Sequence, residues 1–132
     1  MLRRVQALSI LLLCTACSRQ EILPAPYDRL AAPAGRLDSA VARERGRRLF
    51  LDSCAFCHGE KADGKGVRRS GLSSRPRDFT DPTWRRRTSP RHAFYAIREG
   101  LPGTAMPAWK ALGDDDTWDL VAFLRGVAPP TE

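Results

Sequence analysis

One short motif, Cys-Ala-Phe-Cys-His at residues 54–58, constrains this sequence more than any other feature. Closely spaced cysteines serve thiol oxidoreductases, zinc sites and covalent haem attachment, and the surrounding residues separate these chemistries. A thiol oxidoreductase would require a strand–helix–strand context, which the sequence does not show. A zinc site would require a second pair of ligands, and only His92 remains for that purpose.

Covalent haem attachment requires two thiols for the two vinyl groups at one edge of the porphyrin, and an imidazole directly after them for the iron. The motif supplies all three groups, and we therefore predict one covalently bound haem c. The polar stretch that follows, residues 59–87, has almost no apolar periodicity. Because loops of that length in compact domains need something to organise them, we expect the haem to supply the core around which this stretch orders.

The N-terminal residues predict export. Two arginines precede an uncharged, mostly apolar run over residues 5–13, which is shorter than the roughly 20 apolar residues of a membrane-crossing helix. Residues 13–17, Leu-Cys-Thr-Ala-Cys, resemble the end of a bacterial lipoprotein signal, in which the last cysteine carries the lipid. We predict a signal peptide over residues 1–16 and lipid attachment at Cys17.

Two residues qualify this N-terminal assignment. Cys14 stands where the lipoprotein pattern favours an aliphatic residue, so an ordinary cleaved signal that ends nearby is the alternative. Ser18 favours sorting to the outer membrane. The predicted location is therefore the periplasmic side of a bacterial membrane, with the lipid as anchor.

The charge of the chain is strongly positive, with a net charge of +7 over 132 residues, and arginine accounts for nearly all of it. Because an exported protein rarely meets nucleic acid, we predict no nucleic-acid partner. The basic surface is expected to steer the protein towards a redox donor and acceptor with acidic docking surfaces, or towards an anionic membrane. Beyond Cys17 only two cysteines remain, so a disulfide framework is excluded.

The pattern along the chain predicts an all-α domain with three main helices and long loops. Prolines and alanines without periodicity predict a tether over residues 17–37, followed by the domain over residues 38–128 and a tail over residues 129–132. Helices are expected at residues 39–52, with Asp38 as N-cap, at residues 90–100 after Ser89, and at residues 114–127 after an acidic start.

Residues 38–127 resemble a class I monohaem c-type cytochrome. The resemblance rests on the Cys-x-x-Cys-His motif, on Gly46 and Phe50 before it, on Phe123 in the last helix, and on the Met-Pro pair at residues 106–107. The stretches Arg-Pro-Arg-Asp-Phe-Thr-Asp-Pro-Thr-Trp and Ile-Arg-Glu-Gly-Leu-Pro-Gly-Thr-Ala-Met-Pro-Ala-Trp also resemble cytochrome subunits of bacterial respiratory chains. The expected architecture is a cytochrome c-like fold around one haem.

The resemblance implies a role for each residue of the site. Cys54 and Cys57 would form the thioether bonds, His58 would be the proximal iron ligand and Met106 the distal one. His92 is the alternative distal ligand, and an open distal position is a further alternative. The free ring nitrogen of His58 is expected to donate to a backbone carbonyl, with that of Pro76 as the candidate.

The haem propionates need donors, and the polar loop offers several. The candidates all lie in this loop: Arg75, Arg77, Trp84 and residues 85–87. Arg77 and Trp84 are the predicted contacts.

The function implied is single-electron transfer between respiratory-chain partners, without catalysis by the protein itself. The alternative is a fixed haem-bearing subunit of a quinol-oxidising or terminal oxidase complex. A pentacoordinate haem enzyme or gas sensor is the third possibility. The expected docking face comprises Ala55, Phe56 and the loop at residues 101–108.

Overall fold

The structure is a computed structural model, and it describes residues 22–128. Five α-helices follow one another: α1 (Ala40–Ser53), α2 (Ala55–His58), α3 (Pro82–Arg87), α4 (Pro90–Glu99) and α5 (Asp114–Val127). Short 3-10 turns occur at Tyr27–Arg29 and Val67–Arg69, and residues 22–128 contain no strand. The all-α prediction is therefore confirmed. The predicted signal peptide over residues 1–16, the predicted lipid attachment at Cys17, Ser18 and the tail at residues 129–132 lie outside the described residues.

The predicted helix boundaries hold to within about a residue, because capping signals are local. The N-cap of α1 is Ser39 rather than Asp38, since the Ser39 hydroxyl accepts from the Ala42 amide at 3.2 Å. Helix α4 begins after Ser89 with Pro90 in its first turn and ends at Gly100. Helix α3 was not predicted, although Asp81 and Pro82 provide the same kind of start, because it is too short and polar to show periodicity.

Helices α1 and α5 cross in close contact at Gly46. A methyl group at this position would overlap the carbonyl of Asp119, so only glycine permits the observed approach. One turn further along α1, Phe50 packs against Phe123 with 5.1 Å between ring centroids. Gly46, Phe50 and Phe123, on which the resemblance partly rests, therefore meet at this one helix crossing.

Helix α4 packs against α5 and completes the hydrophobic core. Ala93, Phe94 and Ile97 of this helix are buried, and the ring centroids of Phe94 and Trp118 of α5 lie 4.6 Å apart. Neither α5 nor any other helix within the described range is long and apolar enough to cross a membrane.

The segment before α1 packs against the helices, although the sequence predicts a tether up to residue 37. Leu23 is buried, and the Tyr27 ring lies 4.9 Å from that of Tyr95. The Nε of Arg36 lies 2.6 Å from Asp119 Oδ1. The backbone of this segment is irregular, and its apolar side chains are buried singly. Their spacing in the sequence therefore shows neither the helical nor the strand period. Residues 23–37 are thus part of the packed structure, which differs from the predicted boundary.

Candidate functional site

A partly open cavity of about 420 Å³ lies between the motif at residues 54–58, the polar loop and helix α4. This volume lies within the roughly 300–1,000 Å³ of sites for small molecules and cofactors. The cavity brings together residues that are distant in sequence. Its walls include the sulfur- and nitrogen-bearing side chains Cys54, Cys57, His58, His92 and Met106, and the apolar side chains Leu72, Phe79, Ala93, Ala96, Ile97, Trp109 and Leu124.

The Cys-x-x-Cys-His motif forms a single helical turn directly after α1. The amide of His58 donates to the carbonyl of Cys54 at 2.9 Å, and the amide of Cys54 donates to that of Phe50 at 2.8 Å. Residues three and four positions apart share one face of such a turn, and this places both thiols and the imidazole on the same cavity. No disulfide joins Cys54 to Cys57. The sequence did not predict α2 as a separate element.

The environment of Cys54 keeps its thiol protonated. Burial, and secondarily the nearby Cys57, raise the pKa of Cys54 to about 11. A thioether carries no charge, so a bonded Cys54 would suit this environment better than a thiolate would.

The imidazole of His58 is oriented by the polar loop. Its Nδ1 lies 3.0 Å from the carbonyl oxygen of Arg77, which fits the tautomer in which Nδ1–H donates and Nε2 remains for a metal. Burial lowers the pKa of His58, and the contact with the Arg77 carbonyl opposes this shift. The neutral ring is the form that ligates metals.

The carbonyl that accepts from His58 is not the expected one. Pro76 was the candidate, but its oxygen lies 2.7 Å from the point where a Cβ of Gly64 would stand. Because the chain is not helical here, successive carbonyls face different neighbours, and the carbonyl of Arg77 is the one that faces the imidazole.

Phe79 is a residue of the site that sequence reasoning missed. Its ring lies 4.9 Å from that of His58 and 4.9 Å from that of Trp84, between centroids. Its amide also donates to the carbonyl of Ala62 at 2.8 Å. The only signal in the sequence was an isolated aromatic residue in a polar loop, and its contacts are not local.

Met106 reaches the cavity from the loop between α4 and α5. It is half-buried, and it lines the same cavity as His58. His92, the alternative ligand, lines that cavity from the first turn of α4. The structure therefore brings both candidate distal ligands to the site.

The candidate propionate donors divide into two groups, and both predicted contacts, Arg77 and Trp84, fall in the first. Arg75, Arg77 and Trp84 line the cavity. The adjacent arginines are used elsewhere: Arg85 donates to the carbonyl of Ala128 at 3.2 Å, and Arg86 donates to the hydroxyl of Thr83 at 3.2 Å.

The residues on the cavity fit a covalently attached haem. Two thiols spaced by one turn, an imidazole with one free nitrogen, and a thioether sulfur all border a largely apolar space of cofactor size. Cationic side chains at the same cavity suit the two carboxylates of such a group.

Comparison with known proteins gives consistent matches. Residues 41–124 match the family described as cytochrome C oxidase, cbb3-type, subunit III. The chain is 31% identical to cytochrome c55X of Stutzerimonas stutzeri over 93 residues, which covers 68% of this chain and 66% of that protein. It is 32% identical to the cbb3-type cytochrome c oxidase subunit FixP of Rhizobium meliloti (strain 1021) over 85 residues, which covers 64% of this chain but 27% of FixP.

A solved structure shares the fold. The KustC0563 c-type cytochrome is 33% identical, with a TM-score of 0.53, and the match covers 64% of this chain and 98% of that one.

Proposed function

We propose that this chain, which belongs to the cytochrome c family described as cytochrome C oxidase, cbb3-type, subunit III, transfers single electrons between redox partners through one haem c. Domains of this family bind haem c covalently. The observation that carries the proposal is the single cavity that gathers Cys54, Cys57, His58 and Met106. When bound, the haem iron supplies a couple that takes up and releases one electron at a time.

Cys54 and Cys57 would hold the cofactor through two thioether bonds, and His58 would be its proximal ligand. The contact between His58 Nδ1 and the carbonyl of Arg77 supports this role, because it fixes the ring orientation and the tautomer. Phe79 limits rotation of the imidazole by packing against its face.

Met106 is the distal ligand. A thioether is a soft ligand that favours the reduced metal, so it raises the reduction potential relative to a second histidine. Its sulfur would also close the iron to small ligands, which would favour electron transfer over substrate chemistry. Arg77 and Trp84 bind the propionates, which their place on the cavity wall supports.

Electron transfer takes place at an exposed face near the motif. Phe56 is 59% exposed and Val67 is 80% exposed, and Val67 begins the 3-10 turn that contains Arg68 and Arg69. Apolar side chains beside cations suit brief encounters with acidic redox partners, since charge raises the association rate more than the affinity. The protein is exported and held at the membrane by a lipid on Cys17, with Ser18 favouring the outer membrane.

The test of this proposal is the absorption spectrum of the haem-loaded protein and of Met106→Ala. The wild type is expected to show a low-spin spectrum with a sulfur-to-iron charge-transfer band in the oxidised form. Met106→Ala should lose that band and bind carbon monoxide when reduced. His92→Ala is the matched control and should retain the band. The assignment of Met106 would be refuted if the spectrum of Met106→Ala kept the band and the spectrum of His92→Ala lost its low-spin character.

A second candidate function is that of a fixed subunit in an oxidase complex, which the match to the cbb3-type subunit III family favours. The chain spans 27% of FixP, so most of that relative has no counterpart in the matched region. Purification from native membranes in mild detergent distinguishes the two. Stoichiometric recovery with other oxidase subunits supports the fixed subunit, whereas recovery of the cytochrome alone supports the free carrier.

A further inference from the structure

The loop that presents Met106 is closed by its own hydrogen bonds. The amide of Leu101 donates to the carbonyl of Met106 at 3.2 Å, and the amide of Thr104 donates to the carbonyl of Leu101 at 3.1 Å. Residues 101–105 are exposed, so water competes with these bonds wherever the loop opens.

The hydroxyl of Thr104 bridges the two ends of this loop. It donates to the carbonyl of Leu101 at 2.7 Å and accepts from the amide of Met106 at 3.1 Å. One side chain thereby uses its single donor and one acceptor position to connect the first residue of the turn to the backbone of Met106. No apolar side chain of similar shape could make either bond.

The chain on the far side of Met106 is held by different means. Gly100 leaves a space that the backbone of residues 106–108 enters, with three backbone atoms at 2.8 Å from the position of an absent Cβ. The amide of Trp109 donates to the carbonyl of Ile97 at 3.0 Å. Within residues 101–105, Thr104 is the residue whose side chain connects the start of the loop to Met106.

We propose that Thr104 is a positioning residue for Met106: its hydroxyl holds the backbone of this loop in the conformation that directs the thioether at the haem iron. The inference rests on the proposed function, because it takes Met106 as the distal ligand. Without the hydroxyl the loop should open more often, so that an external ligand would displace the Met106 sulfur more readily.

Imidazole provides the probe, because it competes with the methionine for the iron of the oxidised protein. Its apparent affinity is measured by spectrophotometric titration of the haem-loaded wild type, Thr104→Val and Thr104→Ser. Thr104→Val keeps the shape but removes both hydrogen bonds, and it should bind imidazole about three- to tenfold more tightly than the wild type. Thr104→Ser restores the hydroxyl and should stay within about twofold.

The remaining variant separates positioning from general stability. Thr83→Val removes a hydroxyl that accepts from Arg86 at 3.2 Å in α3, away from the methionine loop, and should leave the imidazole affinity unchanged. Equal affinities for the wild type and Thr104→Val overturn the positioning role, as does a Thr104→Val variant that only unfolds at lower temperature. If the oxidised wild type lacks the sulfur-to-iron band, the Met106 assignment itself fails, which is distinguishable from failure at Thr104 alone.

Discussion

Tyr27 connects the N-terminal segment to the end of α4 through one side-chain hydrogen bond. Its hydroxyl donates to Glu99 Oε1 at 2.6 Å, and Lys110 Nζ lies 2.8 Å from Glu99 Oε2. The hydrogen bond to Glu99 is the main cause that raises the pKa of Tyr27. The hydrogen bond from Lys110 is the main cause that lowers the pKa of Glu99, and the hydrogen bond from Tyr27 lowers it further. Folding therefore favours the protonated phenol and the ionised carboxylate.

The stability of the protein should consequently depend on pH through Tyr27. Because the folded-state pKa of the phenol is raised, its contribution is fully present below about pH 10, the ordinary tyrosine pKa, and is lost as the pH rises through the folded value. Tyr27→Phe should be less stable than the wild type at neutral pH. The difference in the free energy of unfolding, measured by denaturant titration, should shrink above about pH 10.

The matched control for this prediction is Tyr95→Phe, which removes the hydroxyl of the neighbouring ring. It should show no such alkaline convergence with the wild type. A difference between wild type and Tyr27→Phe that stays constant up to pH 11 would contradict the role of the Glu99 hydrogen bond.

At the scale of elements, the crossing of α1 and α5 is the contact that organises the fold. Asp119 serves it twice: its carbonyl faces Gly46, and its carboxylate, 2% exposed, contacts Arg36 at 2.6 Å and Arg45 at 2.7 Å. A buried carboxylate is tolerated when it is paired, and here the partners come from α1 and from the segment before it. The backbone of Asp119 thus limits how closely α1 and α5 approach, and its carboxylate connects the N-terminal segment to both helices.

We expect Gly46→Ala to destabilise the protein at the crossing of α1 and α5. The new methyl group would overlap the Asp119 carbonyl, and backbone atoms cannot move aside as a flexible side chain can. We expect the free energy of unfolding of the haem-loaded protein to fall by about 1–3 kcal/mol or more.

Gly126→Ala in α5 is the control for Gly46→Ala. Its methyl group would meet only the flexible side chain of Arg43, at 3.2 Å or more, and alanine favours the helix. Urea denaturation should find Gly126→Ala as stable as the wild type or up to about 1 kcal/mol more stable. Equal effects of the two substitutions would show that helix propensity, not the crossing, governs position 46.

At the scale of the whole molecule, the domain includes the segment before α1. Leu23 is 6% exposed, and residues Tyr27, Leu30 and Leu37 pack against the core. Residues 22–37 should therefore contribute to the stability of the domain.

Truncation tests this extent of the domain. A haem-loaded variant that starts at residue 38 loses the burial of Leu23, worth about 1.5–3 kcal/mol, and leaves Asp119 without Arg36. Its free energy of unfolding should fall by at least about 2 kcal/mol relative to a variant that starts at residue 22. Equal stability of the two variants in denaturant titrations would mean that residues 22–37 behave as a tether after all.

The sequence by itself determined what is local: the haem-attachment motif, the three main helices with their caps, and the glycine and aromatic residues of the helix crossing. These features follow from covalent chemistry, short-range hydrogen bonds and a period of 3.6 residues, all of which are visible within a few positions. Helices α2 and α3 were missed because each has too few residues to display a period.

Only the tertiary structure decided which distant groups meet. The path of residues 59–87 sets the Arg77 carbonyl, not that of Pro76, against His58, and it brings Phe79 onto the imidazole. The fold also gathers Met106 and His92 on the cavity of His58, and it packs the segment around Leu23 onto the helices. Irregular backbone carries no periodicity that reveals its route, because its direction depends on contacts with residues far along the chain.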